Sequence, residues 1–363
     1  MASNSFGTLF KITTWGESHG KAIGVVIDGC PAGLSLDESD IQAALALRAP
    51  GRNPYTSPRA EEDRAEILSG VFEGITTGAP ISIMIPNRDV DGSKYEPIKD
   101  VLRPGHANYT YLQKYGLFDY RGGGRASARE TACRVAAGAV AQRLLERYGI
   151  EIVAYLKQVG TVEAEIGEAS GKPLRAAALG SLLFCPDPQA TLAMTAVLDK
   201  AKAEGNSLGG VVEFIASGVP PGLGDPVYEK LGANLAYAMM GLPAVKGFEM
   251  GSGFGAVVMQ GSEHNDRFVQ EAAEIKTATN YAGGTLGGIS TGMPLVGRVA
   301  FKPTSSIMKP QESLTTSGER ATLQLPRGSR HDPCVAIRAV PVVEAMVALV
   351  LVDAVLLNRC ARI

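Results

Sequence analysis

The apolar stretch from Val342 to Leu357 constrains the fold more than any other feature of the sequence. It is too short, and with Glu344 and Asp353 too charged, to span a bilayer. We therefore predict a buried core helix that begins at Pro341. The composition supports such a core, because 45% of the 363 residues are hydrophobic and 20% are charged, as in ordinary globular proteins.

Four further segments carry the start and stop signals of helices. They run from about Ser35 to Arg48, from Ser127 to Gly149, from Asp187 to Gly205 and from Asp225 to Gly241. The second has the pattern of a capping box, in which Ser127 and Glu130 each bind the backbone amide of the other. The last two begin with Asp-Pro, an N-cap followed by proline in the first helical position.

Eight β-like runs lie between these helices. They run from Leu9 to Thr13, Ile23 to Ile27, Glu66 to Phe72, Ile81 to Ile85, Ile152 to Val159, Val211 to Ala216, Val245 to Met250 and Val296 to Phe301. Strands outnumber helices and no regular βαβ alternation persists, so we predict an α+β fold with antiparallel sheets packed on a helical layer. We expect one domain over residues 1–363, with a long mobile loop at 305–330 that acts as a lid.

Charge, cysteine content and the N-terminal sequence argue against several classes of protein. The formal net charge of −2 gives no global electrostatic footprint for nucleic acid. The five cysteines are scattered without a CxxC pair, which argues against a disulfide framework or a zinc site. The N-terminus lacks a basic-then-apolar signal. We predict a soluble cytoplasmic protein that binds neither nucleic acid nor membrane.

Three of the four histidines lie in short polar stretches marked by glycine or proline. These are Gly16-Glu17-Ser18-His19-Gly20, Arg103-Pro104-Gly105-His106 and Arg330-His331-Asp332-Pro333. Histidine is the usual proton carrier of active sites, because its pKa lies closest to physiological pH. Taken singly, each is more often a turn or surface residue. Together, with arginines flanking two of them, they predict a site that binds anions and moves protons.

The basic loop Arg121-Gly122-Gly123-Gly124-Arg125 precedes the helix at Ser127. Free amides at a helix N-terminus attract anions, whereas arginines there oppose the helix dipole unless an anion binds. This favours a phosphate site over the alternative, a flexible loop that caps a helix. The loop is neither a Walker A nor a GxGxxG sequence. Lys302-Pro303-Thr304-Ser305-Ser306 and Gly283 to Gly288 are weaker candidates, each equally consistent with a loop or turns.

Four motifs, in order along the chain, resemble the chorismate synthase family. They are Gly16 to Gly20, Arg103 to Ala107, Tyr120 to Thr131, and Arg330 to Cys334 followed by Arg338-Ala339-Val340-Pro341, and the resemblance extends from about Phe6 to Leu357. It implies a 1,4-anti elimination of phosphate from 5-enolpyruvylshikimate-3-phosphate to give chorismate, the last step of the shikimate pathway. It also implies reduced FMN with no net redox change, a helical layer sandwiched between antiparallel sheets, and a homotetramer.

The resemblance also implies roles for individual residues. His19 would protonate or stabilise reduced flavin, His106 would protonate the leaving phosphate, and Asp332 would help remove the proton that reaches flavin N5. The FMN-contacting positions would be Arg125, Ala126, Ser127, Pro243, Ala244, Gly287, Lys302, Pro303, Thr304, Ser305, Ser306 and Arg330. The candidates for substrate or NADP anions are Arg48, Arg103, Arg129, Arg134 and Arg338.

Departures from the family pattern affect the prediction of whether this protein binds NADPH and reduces its own FMN. Few arginines surround Arg48, and Pro54 stands at a common Arg position, with Arg52 nearby. We therefore predict a monofunctional enzyme that relies on an external flavin reductase. Asn108 replaces a common Asp and changes the charge near His106, while Ala126 replaces a frequent Ser and keeps the backbone cradle.

Two other functions stay open at this stage. One is another FMN-dependent oxidoreductase or lyase that acts on a phosphorylated anion, which a net redox product would reveal. The other is a non-catalytic anion-binding protein, in which the placement of three histidines is accidental. Titration with oxidised and reduced FMN separates these functions.

Overall fold

Long helices and antiparallel sheets make up the structure, as the sequence predicts. The computed structural model describes residues 3–57, 62–88, 91–167, 170–272, 274–326, 328–329 and 331–362. Its α-helices are α1 (Glu38–Arg48), α2 (Asn108–Tyr115), α3 (Thr131–Glu146), α4 (Gly171–Gly180), α5 (Pro188–Ala203), α6 (Leu231–Met240), α7 (Gly261–His264) and α8 (Ala336–Asn358). Short 3₁₀ helices cover Ser93–Ile98, Gly124–Ala126, Ala128–Glu130 and Gly253–Val258.

The strands form two five-stranded sheets and four small hairpins. They are β1 (Ser5–Phe6), β2 (Lys11–Gly16), β3 (Ala22–Asp28), β4 (Glu66–Ile67), β5 (Val71–Phe72), β6 (Ile75–Thr76), β7 (Ile81–Pro86), β8 (Glu151–Val159), β9 (Val162–Glu163), β10 (Gly210–Ser217), β11 (Val245–Met250), β12 (Phe268–Glu271), β13 (Glu274–Thr277), β14 (Thr285–Leu286), β15 (Ile289–Ser290), β16 (Leu295–Phe301), β17 (Gln311–Leu314) and β18 (Arg320–Leu323). The large sheets have the orders β1-β2-β3-β7-β4 and β11-β16-β10-β8-β9. Neighbouring strands pair antiparallel, which confirms the α+β prediction.

Strands β2 and β7 of the first sheet show the expected alternation of buried and more exposed side chains. Ile81, Ile83 and Ile85 of β7 are fully buried, and the residues between them are only partly buried. Since side chains alternate between the two faces of a strand, this pattern packs one face of the sheet against the core. The predicted run from Glu66 to Phe72 is interrupted by a turn at Gly70, whose φ is +82°, and so forms two separate strands.

Helices α3 and α8 pack against each other at the centre of the core. Helix α3 contacts β2, β3 and β7 of the first sheet and also β8 of the second, and α8 contacts β8 and β10 of the second. The two helices approach very closely at Gly138, where an added Cβ would lie 2.4 Å from the Cβ of Ala345. The absence of a side chain at Gly138 therefore sets the distance between the two helices.

The two carboxylates of the apolar C-terminal helix bind backbone amides of the two sheets. Glu344 accepts a hydrogen bond from the amide of Ala154 in β8 and pairs with Arg175. Asp353 accepts bonds from the amides of residues 8–10, beside the first sheet. Contrary to the prediction that this segment is too short and too charged to span a bilayer, helix α8 is long and apolar enough to cross a membrane, but 89% of its most apolar window is buried inside the protein. It is therefore the core helix that the sequence predicts.

Three predicted helix starts need correction. Helix α8 begins at Ala336, so Pro341 lies inside it. Helix α6 begins at Leu231 instead of Asp225, because the intervening residues turn and Val227 has a φ of +68°. Helix α3 begins at Thr131 instead of Ser127: Ser127 caps the preceding 3₁₀ turn Ala128–Glu130 by accepting from the amide of Arg129, but the side chain of Glu130 does not complete the capping box. Glu130 accepts instead from Thr14 and Arg134.

The segment at 305–330 is more regular than predicted. Strands β17 and β18 form a hairpin within it. The amide of Leu102 donates to the carbonyl of Leu314, and the amide of Thr316 donates to the carbonyl of Asp100. Leu323 and Leu325 form a small buried cluster with Ile98. The hairpin is thus docked on residues 98–102, and its mobility as a lid stays a prediction.

Candidate functional site

A cavity of about 540 Å³ brings together nearly all the predicted site residues. Its walls come from the turn after β2, the end of α1, the loop before α2, the start of α3, and the segments at 241–244, 302–306 and 331–338. The predicted residues in its lining are His19, Arg48, Arg103, His106, Arg125, Ala126, Ser127, Arg129, Arg134, Pro243, Ala244, Lys302, Pro303, Thr304, Ser305, Ser306, Asp332 and Arg338. Residues distant in sequence therefore converge on one basic cavity.

Gly287 does not join this group, and Arg330 cannot be placed relative to it. Gly287 lies on the exposed turn between β14 and β15 and is not part of the cavity lining. The prediction that it contacts the same ligand is therefore not supported within this chain, because its hairpin packs near residues 221–231. Arg330 lies outside the described residues.

A larger groove of about 1590 Å³ runs between β1, α6 and the end of α8. None of the predicted site residues lines it, and its described lining contains no histidine. The size of a cavity alone therefore does not identify the active site. The smaller cavity is the candidate site because the titratable side chains converge there.

The His19 turn lies at the end of β2. The amide of Gly20 donates to the carbonyl of Glu17, which closes the turn, and the hydroxyl of Ser18 lies 3.0 Å from Nδ1 of His19. The ring of Tyr95 meets the His19 ring edge-on at 5.6 Å. Gly122 lies against the other side, where an added Cβ would be 2.5 Å from Cε1 of His19. The imidazole is thus held in a fixed position at the cavity wall.

The His106 turn is more deeply buried and lies beside Arg103. The guanidinium of Arg103 lies 2.8 Å from Nε2 of His106 and donates to the carbonyl of Gly122. Burial lowers the pKa of His106 to about 3, and the positive charge of Arg103 adds to this effect. His331 also lines the cavity, and burial lowers its pKa to about 4. Both imidazoles are therefore neutral at physiological pH in the ligand-free protein.

Asn108 supports the His106 turn and explains one departure from the family pattern. Its side-chain oxygen accepts from the amide of Arg103 at 3.1 Å, and its side-chain nitrogen donates to the carbonyl of Val101 at 3.2 Å. An ionised Asp could accept the first bond but could not donate the second. The amide therefore braces this turn without adding a negative charge near His106.

The glycine-rich loop forms a cradle of backbone ahead of α3. Two 3₁₀ turns, Gly124–Ala126 and Ala128–Glu130, are joined at Ser127, which caps the second turn. Among the described residues, Arg125 donates only to neutral oxygens, including the carbonyl of Gly16 and the hydroxyl of Thr14. Its positive charge thus stays available to an anion in the cavity.

Asp332 is held on the opposite wall. One carboxylate oxygen accepts from the amide of Ser57 at 2.7 Å, and the other accepts from Arg338 at 3.1 Å. Nearby, Lys302 donates to the carbonyl of Gly105, and the buried hydroxyl oxygen of Thr304 has no hydrogen-bond partner among the described residues. A buried polar atom of this kind normally finds a partner, and a ligand in the cavity would provide one.

Arg48 and Arg129 share a partner that the sequence did not reveal. Both guanidiniums bind the carboxylate of Asp63, whose side chain is fully buried. Asp63 lies in an acidic run, Glu61-Glu62-Asp63, which resembles any solvated loop, so no local pattern distinguishes it. Tyr95 and Ser57 also line the cavity and were absent from the predicted set, and His331, from the third histidine stretch, lines it as well.

Arg52 does not take part in the cavity. Its guanidinium lies over the ring of Phe184 at 4.0 Å, and the carbonyl of Pro54 accepts from Lys202. Arg52 therefore does not replace the arginine that the family commonly has at the position of Pro54.

The residues of the cavity fit a phosphorylated, hydroxyl-rich cofactor such as FMN. The Thr304 hydroxyl lacks a partner, Arg125 and Lys302 bind no carboxylate in the described structure, and Ser127 caps a helix start. These groups suit a phosphate and a polyol chain. The volume also lies within the usual range for ligand sites, roughly 300–1,000 Å³.

Comparisons with known proteins agree with one another. The chorismate synthase family model matches residues 10–356. A chorismate synthase of Protochlamydia amoebophila is 61% identical over 100% of both chains, and one of Synechococcus is 53% identical over 96% of this chain and 92% of its own. A crystal structure of chorismate synthase superposes with a TM-score of 0.78 at 34% identity, covering 97% of this chain and 93% of that one.

Proposed function

This chain belongs to the chorismate synthase family of lyases, and from that premise we propose that it converts 5-enolpyruvylshikimate-3-phosphate to chorismate. The reaction removes the phosphate and one hydrogen in a 1,4-anti elimination. The observation that carries the proposal is the convergence of His19, His106, Asp332 and several cations on one cavity. A substrate with a phosphate and two carboxylates needs such a cationic site, and the proton carriers suit an elimination.

The proposal includes reduced FMN as cofactor. We assign its binding to Arg125, Ala126, Ser127, Pro243, Ala244 and the loop from Lys302 to Ser306, all of which line the cavity. Gly287 and Arg330 are assigned by family resemblance alone. When bound, reduced FMN would supply electron density to the allylic system as the C–O bond breaks. The chain itself would position the substrate, exclude water and handle charge and protons.

His106 is the proposed proton donor to the departing phosphate. With a pKa of about 3, it carries no proton in the ligand-free protein at neutral pH. A phosphate dianion beside it would favour the charged imidazolium and would offset the positive charges of Arg103 and Lys302. We therefore assign protonation of His106 to the substrate-bound state, so that the acid forms only when there is a leaving group to protonate.

His19 and Asp332 take the other proton-handling roles. His19, fixed between Tyr95 and Gly122, would hold a proton on the cofactor side of the cavity. Asp332 lines the cavity with its carboxylate oriented by Ser57 and Arg338, and it would help remove the proton that reaches flavin N5.

The broader organisation is proposed on the same basis. Helix α3 contacts strands of both large sheets and packs on α8, which contacts the second sheet, and these contacts support a helical layer sandwiched between antiparallel sheets. One hydrophobic core includes residues from both sheets, which supports a single domain over residues 1–363. By family resemblance we propose a cytoplasmic homotetramer whose FMN is reduced by a separate flavin reductase.

An anaerobic assay with 5-enolpyruvylshikimate-3-phosphate tests the proposal. With dithionite-reduced FMN we expect phosphate and chorismate in equal amounts, and with FMN and NADPH alone we expect neither. A net redox product would instead favour an oxidoreductase that acts on a phosphorylated anion. Steady chorismate formation from NADPH without added reductase would contradict the monofunctional prediction while leaving the main reaction intact.

A further inference from the structure

We propose that Asp63 is a positioning residue that holds the guanidiniums of Arg48 and Arg129 in place to bind an anion in the cavity. The inference rests on the proposed function, because it assigns a task to two arginines of the same site. Asp63 itself does not line the cavity, whereas both arginines do. It therefore acts through its two partners.

The contacts of Asp63 are divided between the two arginines. Its Oδ2 lies 3.0 Å from Nη1 of Arg48, and its Oδ1 accepts from Nη1 of Arg129. All three side chains are buried, and that of Asp63 is fully inaccessible. Contacts between a buried carboxylate and buried guanidiniums are little screened by water and so restrict where each guanidinium can lie.

Asp63 also joins parts of the chain that no local sequence pattern links. Arg48 ends α1, Arg129 lies just before α3, and Asp63 precedes β4. Its backbone is left-handed, with φ +49°, an uncommon conformation for a residue other than glycine. The carboxylate therefore keeps its place through its tertiary contacts, as is usual where unfavoured backbone serves a functional site.

The remaining contacts of Arg48 leave part of it available to a ligand. Its Nε donates to the hydroxyl of Thr131, and its Nη2 donates to the carbonyl of Ala128. With the bond to Asp63, this accounts for three of the five N–H donors of a guanidinium. Two donors are left without a partner among the described residues, at a group that lines the cavity.

Loss of the Asp63 charge should therefore change the positions of the Arg48 and Arg129 guanidiniums, in addition to any effect on the stability of the fold. Burial already lowers the pKa of Arg48 to about 10, and the charge of Asp63 counters that effect. Without the carboxylate, two buried guanidiniums face each other directly and move apart. The guanidiniums would then lie away from the positions in which they bind an anion. The affinity of the protein for the anion would therefore fall even in molecules that remain folded.

The test compares Asp63→Asn with Glu62→Gln, a matched change at the adjacent exposed carboxylate, which pairs with Arg88. Inorganic phosphate serves as the probe, and its stabilisation of the protein against thermal unfolding gives an affinity without catalysis. We expect Asp63→Asn to weaken phosphate binding at least tenfold and Glu62→Gln to leave it unchanged. In the anaerobic assay, KM should rise at least tenfold while kcat changes less.

A folded Asp63→Asn protein with unchanged phosphate affinity and KM would overturn the inference. If that variant does not fold, Asp63→Glu is tested instead. It keeps the charge but displaces the guanidiniums by about the length of one methylene group, and we expect KM to rise at least threefold. An unchanged KM in Asp63→Glu would equally overturn the inference. Wild-type protein that binds phosphate but forms no chorismate would instead contradict the proposed function and leave the role of Asp63 standing.

Discussion

The His19 and His106 turns look alike in sequence but differ in their surroundings. Both place a histidine beside glycine in a polar stretch that lines one cavity. His19 contacts a neutral hydroxyl and the edge of an aromatic ring. His106 instead lies 2.8 Å from the guanidinium of Arg103, and its pKa falls to about 3.

Two similar motifs therefore place their histidines in different electrostatic surroundings. A neutral histidine beside cations suits the place where an anion arrives, since the anion itself restores the proton. His19 instead lies between a tyrosine ring and a glycine, and its charge interacts with the carboxylate of Asp119. Gly122 links the two turns, because its Cα faces His19 and its carbonyl accepts from Arg103.

Removal of either imidazole should have the largest effect. We expect His19→Ala and His106→Ala each to reduce turnover by about 10²-fold or more, in line with general acid–base catalysis. His106→Ala should retain FMN binding, because its defect is in the departure of phosphate. His264→Ala is the control, since that histidine bonds to Ser252 away from the cavity. Near-normal turnover in either variant, or loss of FMN binding in His106→Ala, would contradict the assigned roles.

Gly122→Ala should have the next largest effect. The new methyl would lie 2.5 Å from the His19 ring, at a φ of +123° that disfavours any side chain. A misplacement of about 1 Å can cost roughly 10²-fold in rate, so we expect kcat/KM to fall by about 10- to 100-fold. Gly124→Ala is the matched control, because its φ is also positive but no atom lies within 4 Å of its added Cβ. Equal losses in both variants would show that backbone strain, and not the ring contact, is responsible.

The smallest expected effect is on the titration of His106. Arg103→Gln removes a positive charge and should raise the pKa of His106 above about 3, although burial keeps it below the ordinary value. Unfolded histidine binds protons near pH 6.5, so His106 favours the folded state above that pH and loses this contribution as pH falls toward 3. The variant should lose less stability in that range. NMR titration measures the pKa, with Arg103→Lys as the charge-preserving control. An identical pKa in Arg103→Gln and wild type would show that Arg103 does not contribute.

Much of the fold could be predicted because its signals are local. Asp187-Pro188 fixes the start of α5, where the Asp187 carboxylate accepts from two amides, and all the main strands follow their apolar runs. Predictions were wrong where tertiary contacts compete with local signals. Asp225-Pro226 has the same start signal, but the chain turns there and α6 begins at Leu231. Glu130 bonds to Thr14 and Arg134 instead of closing the capping box.

The sequence by itself supplied the candidates for carrying protons and charge, and it determined that the apolar C-terminal segment is a core helix. Glycine-flanked histidines, a basic loop before a helix and an apolar run are all visible within a few neighbouring residues. Only the tertiary structure decided that His106 is neutral beside Arg103, and that Asp63 joins Arg48 to Arg129. The physical reason is that burial and charge–charge interactions depend on distances between residues far apart in the chain, and folding alone sets those distances.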